Sequence, residues 1–137
     1  MNEPEATNTV TLEPEGYVYV KLVGDQTHKT IEDSAKECVE LAGQIHALNK
    51  PLLGLIDFSE EGSFSTGANK ATLDAMSSIS YERIAMFGTN PVLAEVSRLI
   101  IQALGKANKT MVFKTREEAM AWLMMRDPVH GYEGLSS

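Results

Sequence analysis

Residues 51–67, PLLGLIDFSEEGSFSTG, decide the fold. They open with an apolar run at 52–56 that lacks the alternation of a half-buried strand. Such a run is typical of a strand buried on both faces, in a sheet with helices on either side. The run ends at Asp57, and a loop rich in Glu, Gly, Ser and Thr leads into the next helical pattern. Because ligands and modifications gather at the carboxyl ends of strands in open α/β sheets, we expect a functional site here.

The rest of the chain alternates strand and helix patterns around this stretch. β-Branched and aromatic residues predict strands at 9–13, 17–23, 52–57, 83–88 and 110–114, of which the first two form an antiparallel hairpin. Apolar spacing and capping residues predict helices at 30–48, 67–79 and 91–104 and a short one that begins at Thr115. The predicted fold is therefore α/β, β-β-α-β-α-β-α-β-α, with a mostly parallel five-stranded sheet and helices on both faces.

Length and composition set the class of protein. At 137 residues the chain is one domain, which we place at residues 9–126 between a flexible lead at 1–8 and a flexible tail at 127–137. A net charge of -7, with 12 Lys and Arg spread along the chain, argues against nucleic acid as a partner. No apolar run is long enough to span a membrane, and the polar start does not resemble a secretory signal. A cytoplasmic location is expected.

The sequence contains no pattern of a catalytic or metal centre. His28, His46 and His130 lack Cys, His or carboxylate neighbours at ligand spacing, so no metal site is predicted. Cys38, the single cysteine, lies on or beside an apolar helix stripe and is interpreted as a core thiol. No nucleotide loop or hydrolase elbow occurs, so no cofactor is expected. We therefore predict that the protein is not an enzyme.

A cluster of hydroxyls and one carboxylate surrounds the end of the buried strand. It comprises Asp57, Ser59, Ser65, Thr66 and Gly67. One interpretation is structural, with the aspartate bracing the loop and a hydroxyl capping the next helix. The other is a phosphoswitch or partner-binding loop, because a phosphate at a helix N-terminus is stabilised by the helix dipole and changes the charge that a partner meets.

The later half of the chain is rich in methionine and other apolar residues, and these also have two interpretations. They fill a core, or they line an apolar pocket between the sheet and the helices at 67–79 and 91–104. The residues assigned to such a pocket are Met76, Ile79, Met86, Phe87, Leu93 and Val96.

The element order, the strand end Ile56-Asp57-Phe58-Ser59 and the turn Ser65-Thr66-Gly67 resemble the STAS domains of anti-sigma-factor antagonists. In that family an Asp-Leu-Ser strand end precedes an Asp-Ser-Ser-Gly turn, in which a partner kinase phosphorylates a serine. Phe64 or Ser65 stands where the turn has its aspartate. The resemblance implies that Ser65 or Thr66 is the matching hydroxyl.

A resemblance over nearly the whole chain is to the SpoIIAA-like group, also described as STAS-like or CRAL-TRIO-related. It is carried by Pro51-Leu52-Leu53, Asp57, Arg83-Ile84-Ala85 and, most specifically, EEAMAWL at 117–123. It implies a small bacterial domain with mobile helices, for which regulatory interaction and nonpolar ligand binding have both been suggested.

Two functions follow as hypotheses. The first is a regulatory module that binds a protein partner, such as a regulatory kinase or sigma-factor system, near residues 57–67. The second is a carrier or sensor of a small apolar, lipid-like molecule. The hairpin leaves a sheet edge on which a homodimer could form.

Overall fold

A five-stranded sheet forms the centre of the computed structural model, which describes residues 7–89, 95, 98, 99, 101–105 and 108–125. The strands are β1 Thr9–Leu12, β2 Val18–Gln26, β3 Leu53–Phe64, β4 Arg83–Phe87 and β5 Thr110–Phe113. The helices are α1 His28–Ala47, α2 Thr66–Ser78 and α3 Arg116–Leu123. Between β4 and β5, residues 95, 98, 99 and 101–103 are helical, so the predicted order of elements is confirmed.

The strands lie in the sheet in their order along the chain. β1 pairs antiparallel with β2, and the remaining neighbours are parallel. The turn of the hairpin uses Gly16 at φ +101, a conformation that a side chain would strain. The predicted hairpin and mostly parallel sheet are confirmed.

Alternation along β3 assigns the two faces of the sheet. Leu53 and Leu55 face α3, where they join a core with Trp122. Ile56 and Phe58 belong to the opposite core, against α1 and α2. Helices therefore cover both faces, as the unbroken apolar run predicts.

The end of β3 differs from the prediction. The strand was expected to stop at Asp57, but it continues to Phe64, because β2 also continues and supplies pairing partners as far as Gln26. The register shifts twice in this extension, and the Asp25 carboxylate accepts a hydrogen bond from the Ser63 N–H at 2.9 Å. Backbone pairing thus outweighs a polar composition that is typical of a loop.

The helix starts also correct the prediction in detail. The N-cap of α1 is Thr27, three residues before the predicted start of the helix at Thr30, and Thr30 completes a reciprocal capping box. Ser65 caps α2, and Thr115 caps α3 as predicted. The predicted helix start at 90–91 lies outside the described residues.

Residues 7 and 8 are attached to the domain rather than extending from it. The Thr7 N–H donates to the Val23 carbonyl at 3.1 Å, and Asn8 exchanges hydrogen bonds with the buried amide of Gln26. The rest of the predicted lead, residues 1–6, and the predicted tail, 127–137, lie outside the described part of the chain.

Candidate functional site

Asp57 lies at the centre of a closed polar cluster on the α3 side of the sheet. One carboxylate oxygen, Oδ2, accepts the Tyr19 hydroxyl at 2.6 Å. The other, Oδ1, accepts the Ser59 N–H at 2.8 Å and the Ser59 hydroxyl at 2.6 Å. The carboxylate is therefore buried with all of its hydrogen bonds formed by β2 and β3.

The electrostatics of this cluster favour an ionised aspartate. Burial alone would raise the pKa of Asp57, but the hydrogen bonds from Ser59 and Tyr19 and the nearby charge of Lys21 outweigh it and lower the pKa. Burial and the hydrogen bond to Asp57 raise the pKa of Tyr19 to about 12. An acid of low pKa, saturated with donors, is a poor general base. Asp57 and Ser59 thus fit the structural interpretation, in which the aspartate braces the chain.

Groups from the loop after β4, from α3 and from the same two strands border this cluster, in which Ser59 is exposed. The loop after β4 lies so close that a Cβ on Gly88, whose φ is +88, would meet the Ser59 nitrogen at 2.7 Å. The Arg116 guanidinium lies over the Tyr19 ring, 4.8 Å from its centre. Lys21 pairs with Glu60 at 2.6 Å.

The Ser65–Thr66–Gly67 turn lies at the start of α2. The Ser65 Oγ accepts the Ala68 N–H at 3.0 Å, and the Ser65 N–H donates to the Gln26 carbonyl at 3.1 Å. Ser65 and Thr66 are exposed. A Cβ on Gly67 would lie 3.0 Å from that of His28, so the N-termini of α1 and α2 are neighbours.

The structure therefore divides the five predicted residues into two groups. Asp57 and Ser59 form one, and Ser65, Thr66 and Gly67 form the other. Seven residues of mostly extended chain lie between Asp57 and Ser65, which places the two roughly 25 Å apart. The extension of β3 causes this separation, since a loop would have allowed the two groups to meet.

An apolar cavity of about 120 Å³ lies between the sheet and helices α1 and α2. Met76, Ile79 and Met86, three of the residues assigned to a possible pocket, line it. Phe87 instead points to the α3 side of the sheet, because it alternates with Met86 along β4. Leu93 and Val96 lie outside the described residues. The cavity thus includes α1, which the prediction had not assigned to it.

The cavity arises from small residues at facing positions. Gly54 presents no side chain in the middle of β3, and Ala35 and Ala75 face the same space from α1 and α2. These residues were missed in the sequence. A glycine inside an apolar strand is a sign of open space or of a close approach by another group, and it was the available signal.

The hydroxyls that line the cavity are already bonded. Ser34 donates to the Thr30 carbonyl at 3.0 Å, and Thr72 donates to that of Ala68 at 2.9 Å. The Tyr81 hydroxyl lies 2.8 Å from that of Thr110. Burial raises the pKa of the Cys38 thiol to about 11, so the thiol is neutral. The lining therefore carries no charge.

Glu61, in the extension of β3, differs from Asp57. Its Oε2 is buried and has no hydrogen-bond partner among the residues that the structure describes. Burial raises the pKa of Glu61 to about 7. A carboxyl with a pKa near neutrality therefore lies four residues before Ser65, the first residue of the α2 turn.

Comparisons with solved structures identify the architecture. An uncharacterized protein of the DUF3478 family from Shewanella loihica, described as having a SpoIIAA-like fold, superimposes with a TM-score of 0.68 at 20% identity, over 90% of this chain and 98% of that one. The fold is SpoIIAA-like. The anti-sigma factor antagonist SpoIIAA in its unphosphorylated form gives 0.58 at 11% identity, over 84% and 94% of the two chains. An anti-sigma factor antagonist from Mycobacterium paratuberculosis gives 0.59 at 16%, over 91% and 100%.

Sequence comparisons add nothing to this likeness. No protein-family profile matches the chain, and no curated protein matches it.

Among the described residues, no three His, Cys, Asp or Glu side chains form a group that could hold a metal ion. In the same part of the chain, no helix is long and apolar enough to cross a membrane.

Proposed function

We propose that this protein is a non-enzymatic regulatory module that binds a protein partner through the exposed Ser65–Thr66–Gly67 turn and the adjoining end of β3. The observation that carries the proposal is the exposure of two hydroxyls at the N-terminus of α2, beside the N-terminus of α1. Two proteins of the same fold are described as anti-sigma factor antagonists, which supports a role in protein contacts.

Phosphorylation of Ser65 or Thr66 would act as a switch on this surface. A phosphate at the start of α2 is stabilised by the helix dipole, so the fold tolerates it. It also adds about -1.5 to -2 charge beside the acidic extension that contains Glu60 and Glu61. A partner that binds the neutral turn would meet a more acidic surface after modification.

The test is a substitution that changes charge without removing the cap. Thr66→Glu places an acid in the first turn of α2, where the dipole favours it, so the melting temperature should not fall. A partner is isolated by affinity capture with the wild type, identified, purified and titrated. Thr66→Glu should weaken binding of the partner about tenfold or more. A tenfold loss corresponds to about 1.4 kcal/mol, and a new charge that the partner surface does not complement costs at least that much.

Gln44→Glu is the matched control, since it adds the same charge to the exposed face of α1 near that helix's other end. Its affinity for the partner should equal that of the wild type. If Thr66→Glu and Ser65→Ala both bind the partner as tightly as the wild type, the turn is not the contact and the proposal fails.

A second function, binding of a small apolar molecule, is favoured by the cavity of about 120 Å³. Native mass spectrometry of freshly purified protein tests it. A mass excess that is lost on denaturation supports a bound molecule, whereas a covalent excess of one phosphate points to the switch. A bare polypeptide, unchanged by added apolar probes, counts against the second function.

A further inference from the structure

The volume of the cavity limits what it can hold. Binding sites for drug-sized ligands typically measure about 300–1,000 Å³, whereas a cavity of about 150 Å³ binds benzene. The cavity here, at about 120 Å³, is slightly below the latter size. The cavity is partly open to solvent, so a ring somewhat larger than benzene can project from it, but most of an acyl chain would lie outside it.

The lining excludes a charged or strongly polar ligand. Its hydroxyls, on Ser34, Thr72 and Tyr81, already have partners, and the Cys38 thiol is neutral. A carboxylate or ammonium group would lose its water here without a compensating bond, which is costly. This lining therefore suits an uncharged hydrocarbon-like molecule or ring.

The cavity also weakens the support of α2. This helix packs mainly on α1 and touches β3 at few points, and its residues Thr72, Ala75 and Met76 face the empty space. Atoms that line a void lose dispersion contacts on one side. Filling the void restores those contacts and makes displacement of α2 more costly.

We infer that the cavity binds an uncharged apolar effector of about six to ten heavy atoms, the size class of benzene or indole, and that occupancy holds α2 and its Ser65–Thr66 turn in place. The coupling to the turn is mechanical, because Ser65 caps the same helix through the Ala68 N–H. This inference rests on the second function proposed above, binding of a small apolar molecule, and does not depend on the partner-binding role proposed for the turn.

Benzene and indole are the probes, and decanoate is the lipid-like comparison. Amide hydrogen exchange is followed along α2, with the Ala68 amide as the reporter of the turn. Opening of α2 releases the ligand, so bound benzene should suppress that opening. At a free benzene concentration ten times its Kd, the α2 amides should therefore exchange about tenfold more slowly. The amides of α3, on the other side of the sheet, should exchange at an unchanged rate.

Ala75→Leu and Lys70→Leu form a matched pair on α2. The leucine at 75 occupies the cavity, whereas the one at 70 lies on the exposed face. Ala75→Leu should abolish benzene binding and slow α2 exchange without ligand, and Lys70→Leu should bind benzene as the wild type does. Gly54→Ala, which adds a methyl from the sheet side, should weaken benzene binding even if Ala75→Leu does not fold.

The outcomes separate the parts of the inference from the proposed function. Absence of benzene and indole binding, or wild-type binding by Ala75→Leu, overturns the site. Binding that leaves Ala68 exchange unchanged overturns the coupling, and tighter binding of decanoate than of benzene overturns the size class. None of these measurements involves a protein partner, so failure of Thr66→Glu to affect partner binding would refute the proposed function alone.

Discussion

The two faces of the sheet are built from the same strands but packed differently. On the α3 face, Leu55, Ala85, Ala119 and Leu123 have no solvent exposure. On the opposite face, alternate residues of the same strands border a cavity of about 120 Å³. The difference lies in the side chains that meet, since Trp122 and Leu123 fill the space under α3, whereas Thr72 and Ala75 face Gly54 across the cavity under α2.

Helices α3 and α2 also differ in how firmly they are attached to the sheet. The Trp122 ring of α3 lies 5.8 Å from that of Phe113, and the buried Arg83 donates to the carbonyls of Leu123 and Met125 at 2.7 and 2.6 Å. In α2 the corresponding inward positions include Ala75 and Thr72, beside empty space. Segments with fewer buried contacts open at lower free energy. The helix that carries the candidate switch is thus the less firmly held one.

Truncation of one large side chain on each face gives the largest expected effects. Trp122→Ala should lower the free energy of unfolding by about 3–5 kcal/mol, since it opens a cavity in a filled core. Met76→Ala should cost only about 2 kcal/mol, at the low end for a buried methionine, because α2 can settle into the enlarged space. Urea unfolding at neutral pH measures both. Equal losses would show that the two faces are equally rigid and would break the comparison.

The α3 face of the sheet was easier to predict from the sequence than the face that borders the cavity. The apolar run at 52–56 and the Thr115 cap depend on local pattern, so the order, the sheet and α3 were predicted correctly. The extension of β3 depends on pairing with β2, which local composition does not contain. The cavity depends on Gly54 aligning with Ala35 and Ala75 across three elements, and only the fold brings these together. The separation of Asp57 from Ser65 was missed for the same reason.

Substitution of Asp57 tests whether the polar groups on the α3 side of the sheet are as fully hydrogen-bonded as its apolar side chains are packed. Asp57→Ala should cost about 2–3 kcal/mol at pH 7, because it removes three hydrogen bonds to a charge and leaves Tyr19 and Ser59 donors unpaired. The folded pKa of Asp57 is lowered, so its contribution is present above the unfolded pKa and is lost as the pH falls through the folded value. Urea unfolding should therefore show the wild type and the variant converging as the pH falls below about 4.

Tyr19→Phe is the milder control for Asp57, since it deletes one of the three bonds and should cost about 1 kcal/mol. If Asp57→Ala lowers stability by the same amount at pH 3 as at pH 7, the ionised carboxylate is not what stabilises this edge of the sheet.

Glu61, on the same strand as Asp57, has a pKa that is shifted in the opposite direction. Its folded pKa is raised to about 7 from an ordinary 4.5, so the protonated form is the one that folding favours. Stability associated with Glu61 is fully present below the unfolded pKa and is lost as the pH rises through about 7. Glu61→Gln should therefore raise stability at pH 8 by about 1 kcal/mol, a fraction of the full shift because solvent still reaches the partly buried side chain and screens its charge.

Measurements at pH 5 and pH 8 check the sign for Glu61. The gain from Glu61→Gln should be larger at pH 8, and Glu60→Gln, which changes an exposed neighbour paired with Lys21, should show no such increase with pH. A gain from Glu61→Gln that is the same at both pH values would mean that this carboxyl stays charged in the folded protein.

The smallest expected effect comes from the residue that opens the cavity. Gly54→Ala should raise the free energy of unfolding by about 0.5–1 kcal/mol, because it restricts the unfolded chain and buries one methyl group. The added Cβ would lie 3.4 Å from the nearest Ile84 carbon, an ordinary contact, so no strain offsets the gain. Gly43→Ala, at an exposed site of α1 with open space around its Cβ, is the control for the backbone effect alone. If Gly54→Ala destabilises the protein by urea unfolding, the space beside β3 is not free, and the two faces of the sheet are packed more alike than their side chains indicate.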